Sequence, residues 1–210
     1  MKKSFFLKFL FLSAIALSRY TTQGQALEIT AAYGYQFGSK SSYGFNNYVK
    51  YNEGDQFSIN IGVDTFKGIM AELTYTHQSS EIILKENIGG TRRITDLNAD
   101  WIMIGATKYI SKEKIRPFLG TSIGLAFFNP NNENTDEING EIETKTYLAF
   151  SAKAGFNIMF TEQIGLNIQG NFMIPVQWGG LYVGTGGLGV SGSSNILIGG
   201  LSGGLVYRFE

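Results

Sequence analysis

One histidine and no cysteine occur among the 210 residues, so any chemistry here is built from His77, hydroxyls and carboxylates. The absence of cysteine excludes a disulfide framework, thiolate metal sites, a cysteine nucleophile and a lipidated N-terminal cysteine. A single imidazole excludes a multi-histidine metal centre. His77-Gln78-Ser79 sets a base two residues from a hydroxyl, with Glu81 and Glu86 nearby in sequence. A serine nucleophile needs a base within hydrogen-bond reach and a third group that orients the base. The segment from Asn129 to Glu143 holds five acids. Hard oxygen ligands suit calcium, but this spacing matches no calcium loop, so a solvated acidic loop is expected. Arg92 and Arg93 have the fork geometry that fits lipopolysaccharide phosphates, and an ordinary hairpin tip explains them equally. No phosphate loop, metal spacing or nucleotide motif occurs. No catalytic residue, metal or cofactor is assigned.

The elements that position these residues show in composition and pattern. Charged residues make up 16% of the chain, against about 25% in soluble domains. There are 27 glycines and only 3 prolines, without the period or charge density of collagen or disordered chains. The formal net charge is zero, which gives nucleic-acid binding no support. At the N-terminus Lys2 and Lys3 precede an apolar run, cleanest from Phe9 to Leu17, and Gly24-Gln25-Ala26 supplies small residues for cleavage. This is a secretory signal pattern. The run is too short for a membrane helix, which needs about 20 apolar residues. Residues 1–26 are read as a signal peptide and 27–210 as one domain. Cleavage after Ala26 removes Lys2, Lys3, Lys8 and Arg19 and no acid, leaving a net charge of −4.

The remainder alternates with period two, the mark of strands with unlike faces. In 164–174, Ile164, Leu166, Ile168, Phe172 and Ile174 oppose Gly165, Asn167, Gln169 and Asn171. The same test succeeds in 28–38, 56–64, 69–78, 118–127, 146–160 and 196–209, and least cleanly in 97–109. There Trp101 and Met103 are set against Asp100, Ile102, Ile104 and Lys108. Eight strands result, each long enough to cross a bilayer, which takes about 9–11 residues when tilted. Short connections (Thr65–Gly68, Ser111–Arg116, Thr161–Gln163) alternate with long ones (39–55, 79–96, 128–145, 179–195). The last has seven glycines and no charge. A hairpin hidden in a long loop would raise the count to ten.

A soluble barrel would turn its large apolar face inward, and a membrane barrel turns it outward. The signal pattern, the loop alternation and the terminal strand select the membrane version. Aromatic girdles are expected at both interfaces: Tyr109, Phe160, Tyr207 and Phe209 at the short-turn end; Phe37, Phe57, Tyr75, Trp101, Phe127 and Trp178 at the other. By parity the inward face carries Glu28, Asp64, Glu72, Asp100, Lys108, Lys153 and Arg208. Isolated buried charges are costly, so these are expected to pair into a plug completed by Asn60, Asn167 and Gln169, as structural filling rather than a gate.

Two further segments carry a family resemblance. Arg116-Pro-Phe-Leu-Gly-Thr-Ser-Ile-Gly124 resembles the Pro-aromatic-x-Gly-x-x-x-Gly strand of small bacterial outer-membrane β-barrel proteins of the OmpA-barrel, OmpX and opacity-protein kind. The ending Leu201-Ser-Gly-Gly-Leu-Val-Tyr-Arg-Phe209, with Leu205, Tyr207 and Phe209 alternating, resembles their C-terminal assembly signal, extended here by Glu210. The resemblance implies an all-β, eight-stranded antiparallel up-and-down transmembrane barrel with long extracellular loops and short periplasmic turns. It also implies an outer-membrane location, contact with outer-membrane lipid and lipopolysaccharide, insertion by the barrel-assembly machinery, and a monomer. This architecture hosts unrelated roles. The first expectation is a non-enzymatic structural or surface-binding protein whose loops meet an unidentified ligand; the alternatives are a narrow channel for small or hydrophobic solutes and a lipid-modifying enzyme. His77-Gln-Ser79 is similar to the His-x-Ser motif that outer-membrane lipid A deacylases use with a glutamate. It sits on the third strand rather than near the C-terminus, and its parity turns His77 toward lipid, so it is read as an interfacial histidine.

Overall fold

A strand with one apolar and one polar face needs partners for its edge amides, and closing a sheet on itself supplies them all. The computed structural model describes residues 26–44, 47–65, 68–86, 90–111, 113–131, 144–176, 181–184, 187–190 and 197–209. Residues 1–25 of the expected signal segment, Trp178 and most of the acidic loop lie outside them. In chain order the strands are β1 (Leu27–Gln36), β2 (Ser39–Gly44), β3 (Asn47–Tyr51), β4 (Gly54–Asp64), β5 (Ile69–Glu86) and β6 (Gly90–Tyr109). They continue with β7 (Ile115–Asn131), β8 (Lys145–Met159), β9 (Ile164–Val176), β10 (Leu181–Gly184), β11 (Gly187–Val190) and β12 (Ile198–Phe209). Eight of them, β1, β4, β5, β6, β7, β8, β9 and β12, pair antiparallel in sequence order. The ring closes where β12 lies against β1, with Glu28 opposite Arg208 and Leu27 opposite Phe209. Among the described residues no helix is long and apolar enough to cross a membrane.

One end of the barrel carries tight turns. Thr65 N donates to Ile69 O at 2.8 Å, and Gly68 takes φ 76°, a left-handed conformation that strains residues with a Cβ. Between β8 and β9 the Thr161 hydroxyl accepts from Ile164 N at 2.9 Å. The opposite end is taller. The segment 39–55, expected as loop, contains the β2–β3 hairpin, and β3 pairs with upper β5, Tyr51 opposite Ile82. The segment 79–96, also expected as loop, is mostly ribbon: β5 and β6 stay paired out to Glu86 and Gly90. The register shifts between Ile82 and Ile83. Such a bulge turns the following residues to the other face, and this breaks the alternation in sequence although the strand continues. Segment 179–195 contains the separate β10–β11 pair. These hairpins leave the barrel itself at eight strands.

The outward face is apolar. Leu205 is 61% exposed, Phe172 56% and Leu119 58%, in company with Tyr33, Phe57, Leu73, Ile104, Phe150 and Leu166. Many inward residues are small or polar, with Trp101, Met103, Tyr109 and Phe118 buried among them, and some are glycine for lack of room. A Cβ on Gly120 would collide with Thr107 Oγ1 and lie 2.9 Å from Lys153 Cε.

Strand β6 faces opposite to the expectation. Trp101 and Met103 are buried in the interior, while Asp100 and Lys108 lie outside, opposite His77 and Ile69 of β5. Tyr109 and Trp101 therefore leave the girdles for the interior. The cause is the position of the charges: Asp100 and Lys108 bracket Ile102 and Ile104 on one face. Eight residues of tilted strand set them about 20 Å apart along the barrel axis. Charges at the two ends of an apolar row are compatible with lipid at its middle.

Candidate functional site

Five of the seven expected interior charges, Glu28, Asp64, Glu72, Lys153 and Arg208, lie inside and are brought together in two groups. Asp100 and Lys108 do not join them. Nearest the tight turns, Arg208 of β12 reaches Asp64 Oδ2 at 3.1 Å and Glu28 Oε2 at 3.5 Å. The other oxygen of Glu28 accepts the Tyr109 hydroxyl across the lumen. Asn157 Nδ2 donates to that hydroxyl oxygen at 2.9 Å, and Asn167 Nδ2 donates to Asn157 Oδ1 at 2.7 Å. Glu28 is 4% exposed, so the guanidinium and the phenol replace the water its carboxylate lost. One level up, Lys153 of β8 spans the lumen to Glu72 of β5 at 2.5 Å. Its ammonium also lies 5.9 Å from the centre of the Phe118 ring, within cation–π range.

Higher still the ties are neutral. Gln56 Nε2 donates across the lumen to Asn171 Oδ1 at 2.9 Å, Gln78 Nε2 to Gln56 Oε1 at 3.3 Å, and Trp101 Nε1 to Gln78 Oε1 at 2.8 Å. Around Trp101 the interior becomes apolar: Leu97, Ala99, Met103, Ala126, Ala149, Met173 and Ile198 are buried together, with Phe128 against them. The indole and Phe128 rings meet edge to face at 5.7 Å. Between the two regions a polar cavity of about 30 Å³ is lined by Ser58, Asn60, Thr74, Ser122, Lys153 and Gln169, among others. That volume holds about two waters. Sequence reasoning missed Tyr109 and Trp101 as interior residues, whereas the alternation in 69–78 already puts Gln78 on the inward face. The signal for Tyr109 and Trp101 was the aliphatic pair Ile102 and Ile104, which marks the outward side of β6.

On the outer wall, near the tall end, lies a second polar group. His77 Nδ1 is 2.8 Å from Asp100 Oδ1, and Ser79 Oγ is 3.3 Å from His77 Nε2. An ionised carboxylate only accepts, so Nδ1 carries the proton and Nε2 is free to accept from the serine. Tyr75 donates its hydroxyl to the same Asp100 oxygen at 2.7 Å, and Asn129 Nδ2 to the other at 3.4 Å. Ser79 Oγ donates to Asn98 Oδ1 at 3.1 Å, a shorter contact than the one to His77. The acids considered from sequence are not the partners of His77: Glu81 lies 3.8 Å from Arg93, and the Glu86 side chain lies outside the described residues. Arg93 is engaged by Glu81 and Asp96. Leu205, Tyr207 and Phe209 project outward on β12, the two rings meeting edge to face at 4.5 Å. Among the described residues no group of acids and histidine forms a metal site.

The closed, up-and-down ring of eight antiparallel strands, polar inside and apolar outside, is the architecture of the small outer-membrane barrels of the OmpA-barrel and OmpX kind. Two solved structures share it. Neisserial surface protein A is 15% identical with a TM-score of 0.59, covering 89% of this chain and 100% of its own. The outer membrane protein OprG from Pseudomonas aeruginosa is 12% identical with a TM-score of 0.61, covering 88% and 96%. At such identities the likeness is one of fold. No protein-family model matches the chain, and no curated protein matches it.

Proposed function

We propose that this protein is an integral barrel of the bacterial outer membrane that acts as a closed structural and surface-binding element rather than a conduit. The observation that carries this reading is the set of ties across the lumen at three levels: Glu28 to Tyr109, Glu72 to Lys153, and Gln56 to Asn171. An eight-stranded interior is only wide enough to be filled by side chains, and here those side chains bind one another from opposite walls. The apolar outer face supports insertion, and the fold shared with Neisserial surface protein A and OprG supports the location.

In this reading residues 1–26 are a cleaved export signal, and Leu205, Tyr207 and Phe209 present the alternating strand read by the insertion machinery. The barrel stands as a monomer in lipid and lipopolysaccharide. Recognition falls to the tall end. There β5 and β6, of 18 and 20 residues, extend well past an apolar band about 25 Å tall. The ribbon carries Arg93, Glu81 and Asp96, and the adjoining hairpin carries Lys50 and Glu53.

Planar-bilayer recording tests the proposal. The reconstituted protein is expected to give no discrete openings, and Lys153→Ala with Glu72→Ala is expected to stay silent as well, because the ties below and above still close the lumen. Regular unitary openings of the unmodified barrel would overturn the closed reading.

A further inference from the structure

Asp100, His77 and Ser79 stand in line on the outer wall, with contacts of 2.8 Å and 3.3 Å along the row. We propose that they form an acyl-ester hydrolase site facing the outer leaflet. Its substrates would be lipids whose ester carbonyls lie at the boundary between headgroups and acyl chains. The inference goes beyond the closed-lumen reading, though it rests on the insertion of the barrel in a membrane.

Position supports the substrate class. His77 sits eight residues above Ile69 at the turn end, and Ser79 ten. With a rise of about 3.3 Å per residue and a tilt of about 40°, these are heights of about 20 and 25 Å. That is the upper edge of the apolar band. Phe57 lies opposite His77 on β4, and Phe127 opposite Asp100 on β7, so the row belongs to an aromatic belt. Ester carbonyls of outer-leaflet lipids occupy this depth, and interfacial water reaches it.

Orientation supports the chemistry. Asp100 is held by Tyr75 and Asn129 and fixes the His77 tautomer that leaves Nε2 as the base. Ser79 Oγ attacks the ester carbonyl while its proton passes to Nε2. The tetrahedral intermediate collapses, the bond from carbonyl carbon to alkoxy oxygen breaks, and Nε2–H protonates the departing alcohol. Water, with its proton taken by Nε2, then attacks the acyl-serine, and its collapse returns that proton to Ser79 and releases the fatty acid. In this structure the Ser79 hydroxyl donates to Asn98 Oδ1 at 3.1 Å, and its proton passes to Nε2 once that donation is released. Ser79 and His77 are the catalytic residues, and Asp100 is a positioning residue.

The test uses the full barrel in two vesicle preparations, one containing lipopolysaccharide and one phosphatidylethanolamine, with acyl loss read by mass spectrometry. Heat-modifiable migration confirms folding, and resistance to carbonate extraction confirms insertion. Loss of an acyl chain in either preparation supports the proposal and identifies the lipid source, provided that Ser79→Ala abolishes it. His77→Ala is expected to lower the rate about 10³-fold or more, and Asp100→Asn about 10³–10⁴-fold. Asp100→Glu should restore part of the activity, which a merely structural role would not. An inserted, folded barrel with no Ser79-dependent acyl loss in either preparation overturns the site. A barrel that carbonate extracts overturns the membrane reading and the site with it.

Discussion

The two ends of the barrel interior solve one problem with different chemistry. Near the tight turns the lumen is filled by Arg208, Asp64, Glu28 and Tyr109, and near the tall end by Trp101, Met103, Met173 and small apolar residues. Both regions are closed and both are sheltered. The lower region holds charges because each one is paired with a partner from another strand, including strands on opposite walls. The upper region replaces that pairing with packing, and its buried polar groups, Gln36, Gln78 and Thr95 among them, are neutral. Removing one member therefore acts differently in each: below it leaves a buried charge, above it leaves a cavity. The lesson is that a narrow lumen is closed equally well by ion pairs or by a packed ring.

The largest effect is expected from Arg208→Ala. It removes the guanidinium that Glu28 and Asp64 share, and urea unfolding of the folded barrel should register a loss of about 3–5 kcal/mol. A smaller loss would break the distinction between the two ends. Trp101→Ala is expected to cost about 3–4 kcal/mol by the same measurement, from the cavity and the lost partner of Gln78. Trp101→Phe should recover most of the packing. If Trp101→Ala proves neutral, the upper region is not a packed core. Ile168→Arg on the outer wall, near the middle of the apolar band, is expected to cost about 2–4 kcal/mol in a bilayer, and little in a soluble setting.

The smallest effect concerns the hairpin above the barrel. Lys50 donates to Glu53 at 2.8 Å, and this hydrogen bond holds the Glu53 carboxyl below its ordinary value of 4.5. A depressed carboxylate stabilises the fold above its unfolded value, and the contribution disappears as pH falls through the folded one. An NMR titration should place the Glu53 midpoint below 4.5, and Lys50→Ala should return it toward that value.

Much of the architecture was legible in single strands. Leu166, Ile168 and Phe172 against Asn167, Gln169 and Asn171 state both faces of β9 unaided. So do Phe57 and Ile59 against Gln56, Ser58 and Asn60 on β4. Strand β6 was not legible in this way, because its charges are at the outward ends and its largest aromatics face inward. The ribbon above β5 and β6 was hidden by the register shift at Ile82 and Ile83, which breaks the alternation without ending the strand. The Ser79–His77–Asp100 row was obscured by the same strand. Read with the wrong face, Asp100 belongs to the lumen, and the nearby acids left for His77 are Glu81 and Glu86.

Period-two alternation by itself determined that this chain forms strands with an apolar and a small polar face, because the pleat sends neighbouring side chains to opposite sides. Only the tertiary structure decided which charges meet. Partners such as Lys153 and Glu72, 81 residues apart, are joined by ring closure and register across the lumen. No local spacing records that distance, and a one-residue change in register would turn every such pair to the other face.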